Sequence, residues 1–159
     1  MSEDFHKRLE DHFKKRDASR AAAQSRGDAV KQEIDRGKQR FEAQVRDIIE
    51  PVFKAAREEL LTRNYPAEII CEAPPGVRAT EGYIGLNSNN DIKHASSVST
   101  QPLFRMCFMA DRGGIQFYST HVMIGGVPES NKTIAVPAPV ERAKIESLVF
   151  DAIRACFPA

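Results

Sequence analysis

Net charge is nearly absent from this sequence. Twenty-three Lys and Arg oppose 22 Asp and Glu, leaving +1 at pH 7. That balance argues against a general polyanion binder, although a local patch remains compatible with it. Long apolar runs are absent as well: none approaches the roughly 18 residues that a membrane span needs. The opening stretch from Met1 to Arg8 lacks the apolar core of a secretory signal. Cysteine is scarce. Cys71, Cys107 and Cys156 are odd in number, far apart and set among apolar neighbours. No Cys-x-x-Cys or Cys/His pair has metal-ligand spacing, so the expectation is free buried thiols in a reducing compartment, with no metal and no cofactor. A soluble cytoplasmic protein without membrane contact is expected.

Proline is nearly missing from the first half, where only Pro51 precedes Tyr65. Charge runs the other way: residues 1–64 hold 15 basic and 13 acidic residues, against 8 and 9 in residues 65–159. A stretch poor in proline and dense in alternating charge favours helix; the rest reads as sheet. The expected division is a charged helical arm over residues 1–29 and a single α+β domain over 30–159 that includes a long helix, 30–63.

The strongest periodic signal supports that helix. Apolar residues at Val30, Ile34, Phe41, Val45, Ile48, Ile49, Val52, Phe53, Ala56 and Leu60 advance mostly by threes and fours and form one stripe. Pro51 interrupts it by removing a donor and crowding the preceding turn. The stripe keeps its phase, which predicts one kinked continuous helix; two helices with Pro51 opening the second is the alternative. Asn64 before Tyr65-Pro66 is the expected stop. Upstream, Phe5, Leu9 and Phe13 share a face, while Arg16, Arg20, Ala23 and Gly27 bury little.

Short strands follow: Ala67 to Ala73, with Ile69 and Cys71 on one face, Val77 to Leu86 after the Pro74-Pro75-Gly76 turn, Leu103 to Ala110, Ile115 to Ile124, and Lys132 to Val136. Asn87 to Gln101, rich in Ser, Asn and Thr, reads as a loop. Asp111-Arg112-Gly113-Gly114 is the best hairpin signal. Even loop length places Phe104, Met106, Phe108 and Ala110 on one face with Ile115, Phe117, Ser119 and His121. The other face, with Arg105, Cys107, Tyr118 and Thr120, is expected to be partly wet. A closing helix from about Pro139 to Phe157 carries an apolar face of Ile145, Leu148, Val149, Ala152, Ile153 and Cys156, with Pro139 in its first turn. The expected fold is therefore α+β: a long kinked N-terminal helix, an antiparallel sheet of about five strands, and a C-terminal helix on one sheet face.

Several motifs invite chemistry and lack its context. Gly126 to Thr133 resembles a phosphate-binding loop, but Thr133 leads into Ile134-Ala135-Val136-Pro137, a strand where a helix is required. His121 could act as a base and carry a small enzyme; a hydrogen-bonded core histidine is the plainer reading. His6 and His12 do not share a helix face, and His94 has no second ligand near it in sequence. Cys107 has no base in view.

Three functional expectations remain. The first is a non-enzymatic binding or assembly protein, a homodimer or a subunit of a larger complex. It would dock through Ile34, Phe41 and Val45 with Phe5, Leu9 and Phe13 of the arm, and through a sheet face showing Arg105, Tyr118 and Thr120. The second is an accessory nucleic-acid-binding protein using Lys14, Lys15, Arg16, Arg20 and Arg26, a stretch with five basic residues against one acid. It lacks aromatics for base stacking. The third is a small enzyme using His121. No residue is assigned a catalytic or metal-binding role.

Overall fold

A computed structural model describes residues 3–88, 102–122 and 128–159. Helix runs without a break from Glu3 to Thr62: α1 (Glu3–Gln44), one π turn (Val45–Ile49) and α2 (Glu50–Thr62). Pro51 explains the π turn. A proline offers no N–H to the carbonyl four residues back, here Asp47, and its ring crowds that carbonyl. The wider turn relieves both, and the Glu50 N–H reaches back to the Val45 carbonyl. The continuous helix expected across Pro51 forms, with Pro51 standing in the first turn of α2.

The chain divides into two compact units, residues 1–36 and 37–159. In the first, nearly every described side chain of α1 is exposed. Glu3 and Asp4 sit in the first turn, where acids suit the helix dipole. Glu10 and Lys14 pair at 2.7 Å one turn apart. Their hydrogen bond lowers the Glu10 pKa and raises that of Lys14.

The second unit is built on a five-stranded antiparallel meander, β1 (Ala67–Ile70), β2 (Gly82–Ser88), β3 (Leu103–Asp111), β4 (Gly114–Val122) and β5 (Pro128–Val136), paired in that order. α2 stops where expected. Asn64 adopts φ +63°, the Asn64 N–H bonds the Leu61 carbonyl at 3.1 Å, and the Tyr65 N–H bonds the Leu60 carbonyl at 2.9 Å. This is the double reversal that closes many helices. The β3–β4 hairpin turns on Arg112 and Gly113, both at positive φ (52° and 79°), which matches the right-handed twist of the flanking strands.

Several expected boundaries are corrected. β1 ends at Ile70 and β2 begins only at Gly82, because a turn closed by Val77 N–H to the Pro74 carbonyl occupies the interval. Cys71 lies beyond β1 and is exposed; Cys107 and Cys156 are buried as expected. α3 runs Arg142–Cys156, so Pro139 lies outside it. Glu141, just before the helix, is extended, and Val140 packs against the core. β5 is longer than expected, starting at Pro128.

Register confirms the hairpin parity: Phe108 opposes Phe117, Met106 opposes Ser119 and Phe104 opposes His121. The core joins this face to α3 and to the helical segment from Phe41 to Leu60. Phe108 stacks at 4.8 Å from Phe117 and 5.6 Å from Phe53, between ring centres. Phe41 is buried with its ring directly on Gly82, where any Cβ would overlap it. Glu81, also buried, accepts the Gly113 N–H at 2.7 Å and lays its carboxylate against the backbone of Gly37.

Candidate functional site

The arm is the first candidate surface. Along a helix each residue turns about 100°, so positions four apart stay within one face. Phe5, Leu9 and Phe13 advance by fours and remain 46%, 39% and 48% exposed. Val30 is exposed too, and Ile34 is half-exposed. The other two arm-docking residues expected from sequence lie elsewhere. Phe41 is core, Val45 is half-buried against it, and neither forms an open stripe. The physical reason is local. Gly82 leaves space for an aromatic ring on β2, and Phe41 fills it.

The five basic residues expected to meet a nucleic acid are all exposed on the same helix, and Arg16 and Arg20, four apart, share a face. Lys14, Lys15 and Arg16 follow one another, about 100° apart, so they point to three sides. Lys14 is engaged by Glu10 and Arg16 lies over the Phe13 ring at 5.5 Å. The Arg26 Nε donates to the Ala22 carbonyl, and Arg20 lies one turn beyond Arg16 on the same face.

The second sheet face carries the other expected contact residues. Arg105 opposes Thr120, and Cys107 opposes Tyr118, so the four share a face with Tyr83, Gly85 and Asn87 of β2. The expected wet surface is corrected here. Tyr83, Asn87, Cys107 and Thr120 are buried, Arg105 and Tyr118 are half-buried, and only the β4–β5 side, at Gln116, Asn131 and Thr133, is open. Tyr83 folds along its own strand over Gly85, where an added Cβ would sit 2.8 Å from the phenol oxygen. The phenol faces the Cys107 thiol without closing a hydrogen bond to it; Asn87 Oδ1 is likewise buried without a partner. Burial pushes the Cys107 thiol up to about 11, against the lowering influence of Tyr83 and Arg105. Burial also raises the Tyr83 phenol, with the thiol adding to it. Both groups are neutral at physiological pH, so this thiol is no nucleophile.

The third candidate lies on the core face at its β4–β5 end. His121 and Ser119 are buried there as strand parity requires. They line a cavity of about 90 Å³ with Lys132 of β5 and, from α3, Leu148, Ala152 and Cys156. Among the described residues no three His, Cys, Asp or Glu side chains converge on a metal position. Thr133 lies within β5, so no helix follows the phosphate-loop lookalike; its Gly126 and Val127, like His94, lie outside the described residues. No described helix is long and apolar enough to cross a membrane.

Sequence reasoning missed Glu81 and Tyr83. Their burial depends on which strand neighbours face them, and a lone acid or tyrosine beside a glycine carries no periodic signature. No protein-family model, curated protein or solved structure matches this chain.

Proposed function

We propose that this chain is a non-enzymatic assembly protein, acting in the cytoplasm, that docks through its N-terminal helix onto a second copy of itself or another protein. The observation that carries the reading is the exposed line of Phe5, Leu9 and Phe13 on a helix segment with almost no buried side chain. A polar helix of this length is not held by a core of its own unit, and a line of large apolar groups marks a contact surface. Burying each such side chain contributes roughly 1.5–3 kcal/mol, enough for three to support a helix-in-groove or helix-bundle contact. Three free cysteines support a reducing compartment.

Light scattering with sedimentation on the full chain tests this. The expected mass at micromolar concentration exceeds the 17.8 kDa of one chain, or a stoichiometric partner co-purifies. Leu9→Asp with Phe13→Asp should abolish the assembly while leaving the melting of the domain unchanged. A wild-type monomer with no stoichiometric partner, indistinguishable from the double variant, overturns the reading.

A further inference from the structure

Cross-strand rungs on the core face change character from one end to the other. Ile84, Phe108, Phe117 and Ile134 form a wholly apolar rung. The next runs Leu86, Met106, Ser119 and Lys132, and Phe104 then pairs with His121. In these rungs polarity enters on β4 and β5, on the face that α3 covers. A buried Ser hydroxyl is costly on a core face unless something polar meets it. Here Ser119 and His121 border the cavity described above, not solid packing.

The cavity is two-natured. Its floor is Met106, Phe117, Leu148 and Cys156, and burial pushes the Cys156 thiol up to about 12. Its polar end holds the Ser119 hydroxyl, His121 and Lys132. Arg105 and Thr120 also border it, although their rung belongs to the opposite face. Lys132 is exposed and, among the described residues, has no ion-pair partner. Asp151, the one acid at the rim among the described residues, lies 3.8 Å from Arg154. An available ammonium above an apolar floor complements an anion with an aliphatic tail. A water-sized group needs roughly 10–15 Å³ of such space, so the cavity of about 90 Å³ admits about six to nine non-hydrogen atoms.

We propose that this cavity binds a short-chain aliphatic carboxylate of butanoate size. Its tail rests on Met106, Phe117, Leu148 and Cys156. Its carboxylate meets the Lys132 ammonium and the Ser119 hydroxyl. A carboxylate suits this end because a charge-assisted hydrogen bond to an ammonium is stronger than a neutral one. The site is independent of the docking reading of the arm.

The test is a titration of the full-length protein with sodium butanoate, followed by amide NMR, with acetate and 1-butanol as comparisons. Butanoate should shift the amides of Ser119, Lys132, Ala152 and Ala155 to saturation. Acetate should bind more weakly by about fourfold for each missing methylene, and 1-butanol about tenfold more weakly than butanoate, for want of the charge. Lys132→Gln, at an exposed position, should weaken butanoate about tenfold and leave 1-butanol unchanged. Ala155→Leu, on the exposed side of α3 at the cavity rim, should block both ligands without altering the spectrum elsewhere. Absence of saturable shifts at these amides overturns the proposal, as does equal butanoate affinity in Lys132→Gln and wild type.

Discussion

Residues 3–36 and residues 37–62 belong to one unbroken run of helix and live under different physics. The first stretch exposes nearly every side chain and is held by propensity, an acidic first turn and surface pairs such as Glu10–Lys14. The second buries Gly37, Phe41, Ile49, Val52, Phe53 and Leu60. Helix length therefore says nothing about burial. What separates the stretches is whether a sheet face offers space, as Gly82 does for Phe41. Apolar residues in the first stretch remain available to a partner; those in the second do not.

The sharpest way to test that contrast is to delete one ring from each. Phe41→Ala removes a buried ring and should cost about 3–5 kcal/mol in chemical denaturation. Phe13→Ala, on the exposed stretch, should leave the unfolding free energy of a dilute sample within about 0.5 kcal/mol. Equal losses would erase the distinction.

A smaller effect, and one that reverses sign, is expected from the two helical glycines. Alanine normally gains up to about 1 kcal/mol over glycine inside an exposed helix. Gly27 has nothing within 4 Å of an added Cβ, so Gly27→Ala should raise helicity by circular dichroism. At Gly37 the same methyl meets the Glu81 carboxylate, so Gly37→Ala should destabilise by about 1–3 kcal/mol. If the paired variant Gly37→Ala with Glu81→Ala is no more stable than Gly37→Ala, the clash is not the cause.

The smallest effect concerns pH. Cys107 and Cys156 are raised by burial, to about 11 and about 12. An unfolded thiol ionises near its ordinary value, about 8.5 to 9. The folded form retains its proton longer, so the stability associated with the neutral thiols is complete below that value and is lost as pH rises toward 11–12. Between pH 8 and 9.5 the loss should be about 1 kcal/mol per thiol, measured by denaturant titration. The stretch 3–36 has no cysteine, so its helicity should not follow this loss. Native alkylation should meanwhile label exposed Cys71 far ahead of the other two.

Periodicity was enough to find the helices, the stop at Asn64 and the hairpin at Arg112-Gly113. Each depends on residues within a few positions: an apolar face every three to four, a left-handed Asn, two positive-φ turn residues. Strand alternation likewise placed Ser119 and His121 on the core face. The turn at Pro74-Pro75-Gly76 was legible, but the strand limits at Ile70 and Gly82 were not, because whether the residues flanking a turn pair depends on the neighbouring strand and not on their own spacing.

By itself, then, the sequence determined the α+β class, the antiparallel pairing parity and an apolar stripe running through one long helix, since all three follow from local spacing and turn stereochemistry. Tertiary structure alone decided which part of that stripe is core. It also decided that Tyr83, Asn87 and Cys107 lie buried on a face whose residue types suggest water, and that Ser119, His121 and Lys132 share one cavity with the floor of α3. Burial belongs to pairs of surfaces that meet across long sequence separations, and no single segment encodes what will be laid against it.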